Sequence, residues 1–169
     1  RIFLKNSCRY NNFGLRCWGN KLGNNCNYNI FGADCWDNTF NNYCSYNIFG
    51  AGCKNNSFDY SCDYNTLNAG CRYNYFGTSC SDNILGSKCS NNSFKSSCGD
   101  ISFGTACSYN LLDSTYTEGV TFNSNCSFIK LCSSSTTSYS SRLKNICINQ
   151  GVRGSSSINK LIITVDNNL

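Results

Sequence analysis

The stretch "CSYNIFGAGCKNNSFDYS", residues 44–61, consists of two nine-residue units that begin at Cys44 and Cys53. The same spacing of nine separates twelve cysteines in succession: Cys8, Cys17, Cys26, Cys35, Cys44, Cys53, Cys62, Cys71, Cys80, Cys89, Cys98 and Cys107. A fixed short period is the sequence signature of a repeat architecture, in which each unit packs on its neighbours. We number the residues of each unit from its cysteine, which is position 1.

Three further positions repeat with the cysteine. Position 4 is Asn in eleven of the twelve units, with Ile101 as the exception, and position 6 is Phe or Leu in all twelve. Positions 4 and 6 lie on one side of a short strand, because side chains alternate along a strand. Position 7 is Gly in seven units and Asn or Asp in four more, and these residues tolerate a positive φ. The pattern predicts a turn after each hydrophobic residue and argues against helices.

Alternate units differ, which indicates that the true period is two units. In the first register, whose units begin at Cys8, Cys26, Cys44, Cys62, Cys80 and Cys98, position 3 starts as a run of Tyr and position 8 contains Ala33, Ala51 and Ala69. In the second register, position 8 contains Asn24, Asn42 and Tyr60. We therefore predict an all-β fold, a single-chain parallel β-solenoid with 18-residue coils and a C-terminal β cap. Six coils are expected, stacked about 4.8 Å apart.

Columns of Phe or Leu and of Cys are predicted to fill the interior. The Asn column is then also buried, and an unpaired buried amide costs about 1–3 kcal/mol. Either a ladder of stacked amides or the backbone of the turns must therefore bond these side chains.

The repeat pattern divides the chain into a solenoid of residues 1–131 and a C-terminal cap or oligomerisation segment of residues 132–169. "RIFLKNS" fits a truncated unit with Ile2 in the Asn column and Leu4 in the hydrophobic column, and no Met is present. We therefore expect further coils upstream, and we expect that the chain is a fragment or a processed product of a longer protein. After Cys107, one inserted residue restores the columns, which continue with Val120, Phe122, Cys126, Ile129 and Leu131.

Within the expected cap, "SSSTTSYSS" at 133–141 has the composition of a polar loop. "LKNICINQGV" and "INKLIITVDNN" are predicted strands, and "RGSSS" at 153–157 is the expected link between them.

Fifteen cysteines cannot all pair within one chain, and their spacing lacks the C-x₂-C pairs of zinc and iron–sulfur sites. The favoured interpretation is a column of reduced cysteines that act as small apolar residues. Disulfides between stacked coils and a metal column are the alternatives, since stacked cysteines lie within disulfide reach. No metal site and no cofactor are predicted.

Composition argues against an enzyme. There is no His, and charged residues make up 14 % of the chain, so the commonest general base is missing. Asp82 and Asp100 lie one coil apart, at a separation like that in retaining glycosidases, but with one Glu in the chain and no predicted cleft we expect a solvated surface. The basic residues are scattered, unlike those of a nucleic-acid binder. The longest apolar run, "LIITV" at 161–165, is too short to span a membrane.

Two aromatic columns are the candidate binding residues. Trp18 and Trp36 occupy position 2 of consecutive second-register units, and the column continues with Lys54 and Arg72. Position 3 of the first register supplies the other column, Tyr10, Tyr28, Tyr46 and Tyr64. Such columns can stack against sugars or bind cations. They can also simply stabilise the stack, at roughly 0.2–1 kcal/mol per pair.

The units "CNYNIFGAD", "CSYNIFGAG" and "CRYNYFGTS" resemble the Cys/Asn/Phe-Gly nonapeptide repeats of proteins from anaerobic gut bacteria and their tailed phages. The resemblance covers about residues 1–131. It implies a non-enzymatic structural fibre component of a phage tail, another virion appendage or a cell surface. The implied partners are other chains of the same fibre in a homo-oligomer such as a trimer. The alternative is an adhesin module that reads a carbohydrate or receptor, such as a surface glycan, with its exposed aromatic columns.

Overall fold

The structure is a computed structural model that describes residues 1–113, 117–123, 126, 130–132, 135–140, 147–149 and 162–164. Within these ranges the secondary structure consists of eighteen strands and no helix. The strands form two parallel sheets of nine strands each. One sheet contains the odd-numbered strands and the other the even-numbered strands, so the chain alternates between the sheets.

Most strands are two residues long and consist of positions 5 and 6 of a unit. The odd sheet contains β1 (Phe3–Leu4), β3 (Lys21–Leu22), β5 (Thr39–Phe40), β7 (Ser57–Phe58), β9 (Tyr75–Phe76), β11 (Ser93–Phe94), β13 (Leu111–Asp113), β15 (Lys130–Cys132) and β17 (Cys147–Asn149). The even sheet contains β2 (Asn12–Phe13), β4 (Ile30–Phe31), β6 (Ile48–Phe49), β8 (Thr66–Leu67), β10 (Ile84–Leu85), β12 (Ser102–Phe103), β14 (Thr117–Phe122), β16 (Ser135–Ser140) and β18 (Ile162–Thr164).

One coil of the chain contains two nonapeptide units. In the even sheet Ile30 pairs with Ile48, and in the odd sheet Thr39 pairs with Ser57. The partners in each pair are parallel and separated by two full units of sequence, so a unit stacks on the second unit after it. The predicted parallel β-solenoid with 18-residue coils is confirmed.

The interior is a double column of aromatic and aliphatic side chains. Phe31 and Phe49 of the even sheet stack with ring centroids 4.9 Å apart, and Phe40 of the odd sheet meets them edge-on, 5.2 Å from each ring. Offset-stacked and edge-to-face contacts are the favoured arrangements of aromatic pairs. The cysteines at position 1 from Cys26 to Cys107 are buried beside these rings. Both predicted interior columns are confirmed.

The buried Asn residues form two amide ladders, one in each register. The Oδ1 atom of Asn56 accepts from the backbone N–H and the Nδ2 of Asn38, at 3.1 and 2.9 Å. Its own Nδ2 donates to Asn74 Oδ1 at 3.0 Å and to the backbone carbonyl of Cys35 at 3.4 Å. Among the described residues no buried side-chain polar atom lacks a partner. The side-chain ladder and the turn backbone therefore act together, where the sequence left them as alternatives.

The two registers differ at position 2, at the corner of the coil. In the second register the backbone N–H of Lys54 donates to the carbonyl of Cys35 at 3.0 Å, a backbone ladder that runs along the corner. In the first register the N–H of Ser45 donates instead to the side chain of Asn27, and that of Asp63 to the hydroxyl of Ser45. Side chains there replace a backbone ladder, and the acceptors are Asn27, Ser45, Asp63 and Ser81.

The turns follow the hydrophobic residues as predicted, but position 7 is not the residue with positive φ. The left-handed residues are those at positions 3 and 9, such as Tyr46 (φ 58°) and Lys88 (φ 61°). Glycine is needed at some of the position 7 sites for a different reason. A Cβ on Gly50 would lie 2.5 Å from the backbone nitrogen of Ala33 in the preceding coil. The glycine column marks a close approach of two backbones.

Beyond Cys107 the columns continue with one inserted residue, as predicted. Thr121 pairs with Ser102, so this coil is one residue longer than two units, and the strand has a bulge between Glu118 and Val120. Val120, Phe122 and Cys126 are buried, and Leu131 pairs with Leu112. Ile129 lies outside the described residues.

The parallel sheets extend into the segment expected to be the cap. The strand β15 crosses the predicted boundary at residue 131, and the described strands β16 to β18 pair in parallel with the coil before them. The prediction of a polar loop at 133–141 is wrong, because residues 135–140 form the strand β16. Its Ser and Thr residues are drawn into the sheet by pairing with β14. The division at residue 131 and the capping role stay predictions.

We predict that Asn56→Ala destabilises the protein by about 2–4 kcal/mol, because it removes the acceptor of two buried donors of Asn38. The free energy of unfolding from urea denaturation is the measurement. Asn41→Ala, which changes an exposed Asn, is the matched control and should cost under about 0.5 kcal/mol. Equal costs for the two variants would contradict the ladder as a stabilising element.

We also predict that Lys88→Gly stabilises the fold by about 1 kcal/mol. Lys88 is exposed and left-handed, and a non-glycine residue in that conformation costs roughly 1–2 kcal/mol, partly offset by the entropy of glycine in the unfolded chain. Lys21→Gly, in the strand β3, should have the opposite sign. A lower urea midpoint for Lys88→Gly than for the unmodified chain would refute this assignment of the turn.

Candidate functional site

The four predicted tyrosines form one continuous exposed stack. Ring centroids are 5.2 Å apart between Tyr10 and Tyr28, 4.9 Å between Tyr28 and Tyr46, and 4.8 Å between Tyr46 and Tyr64. The rings are within 13° of parallel, and the side chains are 40–76 % exposed. The 18-residue coil places them in register, as the sequence predicted.

The two tryptophans also stack, at the corner where position 2 forms a backbone ladder. Their ring centroids are 6.2 Å apart and their planes differ by 3°. The guanidinium of Arg1 lies 4.6 Å from the centroid of Trp18, on a ring that Trp36 also stacks against. The same ladder continues through Lys54 and Arg72. The sequence missed Arg1, because its unit is truncated and lacks the cysteine that sets the numbering.

Stacking limits what these aromatic rings can bind. A sugar packs on the face of an aromatic ring, and neighbouring rings of the same column cover the faces of Tyr28 and Tyr46. Tyr10 ends its column and is 76 % exposed. A ligand could therefore approach the edges of most rings and the full face of few. The binding role of both columns stays a prediction.

The acidic residues of the first register continue the tyrosine column. Asp82 and Asp100 occupy position 3 of the two units that follow Tyr64, and both are left-handed. The nearby carboxylate of Asp82 raises the pKa of the Tyr64 phenol, since a negative neighbour disfavours the phenolate. Asp82 is half-buried and Asp100 is exposed, which agrees with the surface position expected for the pair.

The cysteine side chains have a role that the sequence analysis missed. Each thiol from Cys26 to Cys107 donates to the carbonyl at position 7 of the preceding coil, as Cys44 does to Gly23 at 3.1 Å and Cys62 to Asn41 at 3.2 Å. Cysteine is thus a small apolar residue with one weak donor, aimed at a carbonyl beside the turn. Donor and acceptor belong to different positions of different units, so their pairing carries no obvious sequence signal.

All thirteen cysteines whose side chains the structure describes are free thiols. Among the described residues, no group of three or more acidic, histidine or cysteine side chains is arranged to hold a metal ion. Burial raises the pKa of the Cys35 thiol to about 11 and also raises that of Cys26. These thiols are therefore protonated at neutral pH, and protonated thiols are poor nucleophiles and ligands.

One face of the rod is uncharged over four coils. We call it the apolar face and define it as positions 3, 5, 7 and 8 of the first-register units. In the units that begin at Cys8, Cys26, Cys44 and Cys62, none of these sixteen positions is charged. The equivalent positions of the first three second-register units include Lys21, Asp37 and Asp59. The signal was present in the Ala residues of the first register, which the sequence analysis used only to establish the period.

The part of the chain that the structure describes contains no helix suited to crossing a bilayer.

We predict that alkylation of the native protein reaches Cys8 and Cys17 well before the buried cysteines. Those two are half-buried in the first coil, whereas Cys26 to Cys107 are buried. Peptide-resolved mass spectrometry after iodoacetamide treatment gives the order.

We also predict that the free energy of unfolding falls as pH rises from about 9 to 11. The folded pKa of Cys35 is about 11 and the unfolded value is about 9, so unfolding releases a proton between these pH values.

Uniform alkylation of all cysteines in the folded protein would contradict the buried thiol columns. A stability that rises with pH over this window would contradict the raised pKa.

Comparison of the chain with known protein families, with curated proteins and with solved structures finds no significant match.

Proposed function

We propose that the chain is a non-enzymatic structural rod, a component of a phage tail, another virion appendage or a cell-surface fibre. The observation that supports the proposal is the unbroken bonding between coils. Backbone N–H groups at positions 5 and 7 donate to the preceding coil, as Ile48 does to Asn29 and Gly50 to Phe31. Those at positions 3 and 9 donate to the following coil, as Tyr46 does to Asp63.

This arrangement favours stiffness over mobility. Each coil contacts only its two neighbours, so stability accumulates along the axis. The interior is filled by stacked Phe, Leu, Cys and Asn side chains, and close-packed interiors have low compressibility. A spacer or fibre segment needs this property, and the repeats resemble those of proteins from anaerobic gut bacteria and their tailed phages.

A second candidate function is recognition of a surface glycan or receptor. The observation that favours it is the exposure of aromatic edges along two columns and of most of Tyr10. Against it stands the coverage of ring faces within the columns. The rod therefore ranks first, and an adhesive role would be an addition to it.

Immunogold electron microscopy of intact cells and particles from a culture that expresses the chain tests the structural role. We expect label on fibres, tails or the cell surface. Label confined to the soluble interior of cells would refute this placement. A glycan array tests the second candidate, and we expect little or no binding.

The variants Trp18→Ala and Trp36→Ala separate the two candidates if binding is found. Loss of glycan binding by folded variants, checked by circular dichroism, would favour the adhesin. Binding that persists in both variants would exclude the tryptophan column as the reader.

A further inference from the structure

The apolar face is larger than an isolated rod needs. Eight of its side chains are large, hydrophobic and at least 40 % exposed: Tyr10, Leu15, Tyr28, Ile30, Tyr46, Ile48, Tyr64 and Ile84. If each exposes on the order of 100 Å², together they offer roughly 800 Å². That is about the area that one partner contributes to a specific interface, and contiguous apolar patches of this size mark interaction surfaces.

The relief of this face consists of a ridge and a furrow that run along the rod. Position 5 supplies the ridge, with Ile30, Ile48 and Ile84. Position 7, two residues on and roughly 6.6 Å away, has no side chain in five of the six first-register units, where it is Gly14, Gly32, Gly50, Gly86 and Gly104. The furrow is enforced at Gly32 and Gly50, where a Cβ would collide with the backbone of the preceding coil.

We propose that the apolar face binds the same face of a second copy of this chain, with the two rods parallel and without axial shift. A two-fold axis parallel to the rods, placed between ridge and furrow, sets each ridge into the furrow of the other copy. Ile48 then packs on the partner's Gly50, and Ile30 on the partner's Gly32. The proposal deepens the structural role proposed above by naming the partner of the rod.

The sequence matches this register in four of the six first-register units, and the other two have Asn12 and Ser102 at position 5 beside Gly14 and Gly104. Among the first-register units from Cys26 to Cys80, the one whose furrow is filled, by Asn68, is also the one whose ridge is shortened to Thr66. An axis perpendicular to the rods would instead set ridge against ridge, with nothing to fill either furrow. The complementarity therefore favours parallel rods.

Charge favours this face over the opposite one. The apolar face buries no charge over four coils, whereas the equivalent positions of the opposite side include Lys21, Asp37 and Asp59. Two copies that met through the opposite side would withdraw these charges from water, which opposes association unless each charge is paired.

Sedimentation equilibrium of the full chain and of Ile48→Lys tests the proposal. We expect a dimer of twice 18.7 kDa, whose dissociation constant rises at least 100-fold in Ile48→Lys. Thr39→Lys is the matched control, because it introduces the same residue at the same position of the opposite sheet, and it should leave the constant within twofold. Lys21 shows that this strand position accepts a lysine, and circular dichroism verifies that both variants are folded.

A charge-pair experiment tests the register. Thr66→Lys and Asn68→Asp chains are mixed in equal amounts, and the dimers are counted by native mass spectrometry. Parallel rods without shift place the new ammonium group of one chain against the new carboxylate of the other, so mixed dimers should clearly exceed the statistical half. A statistical mixture would overturn the register.

Other outcomes overturn the interface itself. These are a chain that is monomeric at 100 µM, a trimer, and an Ile48→Lys variant that dimerises like the unmodified protein. A monomer that sediments with an insoluble crystalline polysaccharide would assign the face to a glycan instead. None of these results bears on the placement of the rod, which the immunogold experiment tests separately.

Discussion

In every regular coil the side-chain amide of an asparagine takes the place of a backbone group. Its oxygen receives two N–H donors from the coil before it, and its nitrogen donates to an amide oxygen in the coil after it and to a cysteine carbonyl in the coil before it, as at Asn38 and Asn56. The chain can turn a corner at this point without leaving the backbone N–H of position 4 unbonded. The narrow interior depends on this substitution, because a buried amide is tolerated only when its bonds are complete.

The cysteine and glycine columns follow from the same narrowness. Neighbouring backbones approach so closely beside position 7 that a Cβ on Gly50 would collide with Ala33. A carbonyl in such a place has little room for a partner, and the thiol of a cysteine is small enough to reach it. Cys71 donates to the carbonyl of Gly50 at 3.4 Å. The residues that define the repeat in sequence are thus those that complete the hydrogen bonds of the corners.

Much of this fold could be predicted from the period alone. The 18-residue coil, the interior columns and the inserted residue before Val120 all follow from counting, because a solenoid repeats its sequence where it repeats its geometry. The left-handed residues could not be located in this way. Gly at position 7 suggested a positive φ, yet Tyr46 and Lys88 adopt it, since the coil closes at those corners whatever residue stands there. The strand β16 was missed for a similar reason, because pairing with β14 outweighs the polar composition of its segment.

The candidate site was only partly predictable. The Tyr and Trp columns were found because identical residues recur once per coil, whereas the cover that Arg1 places on Trp18 depends on a contact outside the pattern. Recurrence reveals which side chains share a column. It does not reveal which of their surfaces a neighbour already covers.

The inserted residue near Glu118 has a further consequence for the perimeter of the coils. The coil from Ser102 to its partner Thr121 is one residue longer than two units, and the coil from Thr121 to Ser138 is one residue shorter, so the excess of one is cancelled by the deficit of the next. The odd sheet shows the same compensation, from Leu111 through Lys130 to Cys147. The bulge between Glu118 and Val120 lies within β14, so a strand of the sheet absorbs the extra residue. A lineage of such chains can therefore vary the outline of individual coils while the alignment of its strands along the axis is preserved.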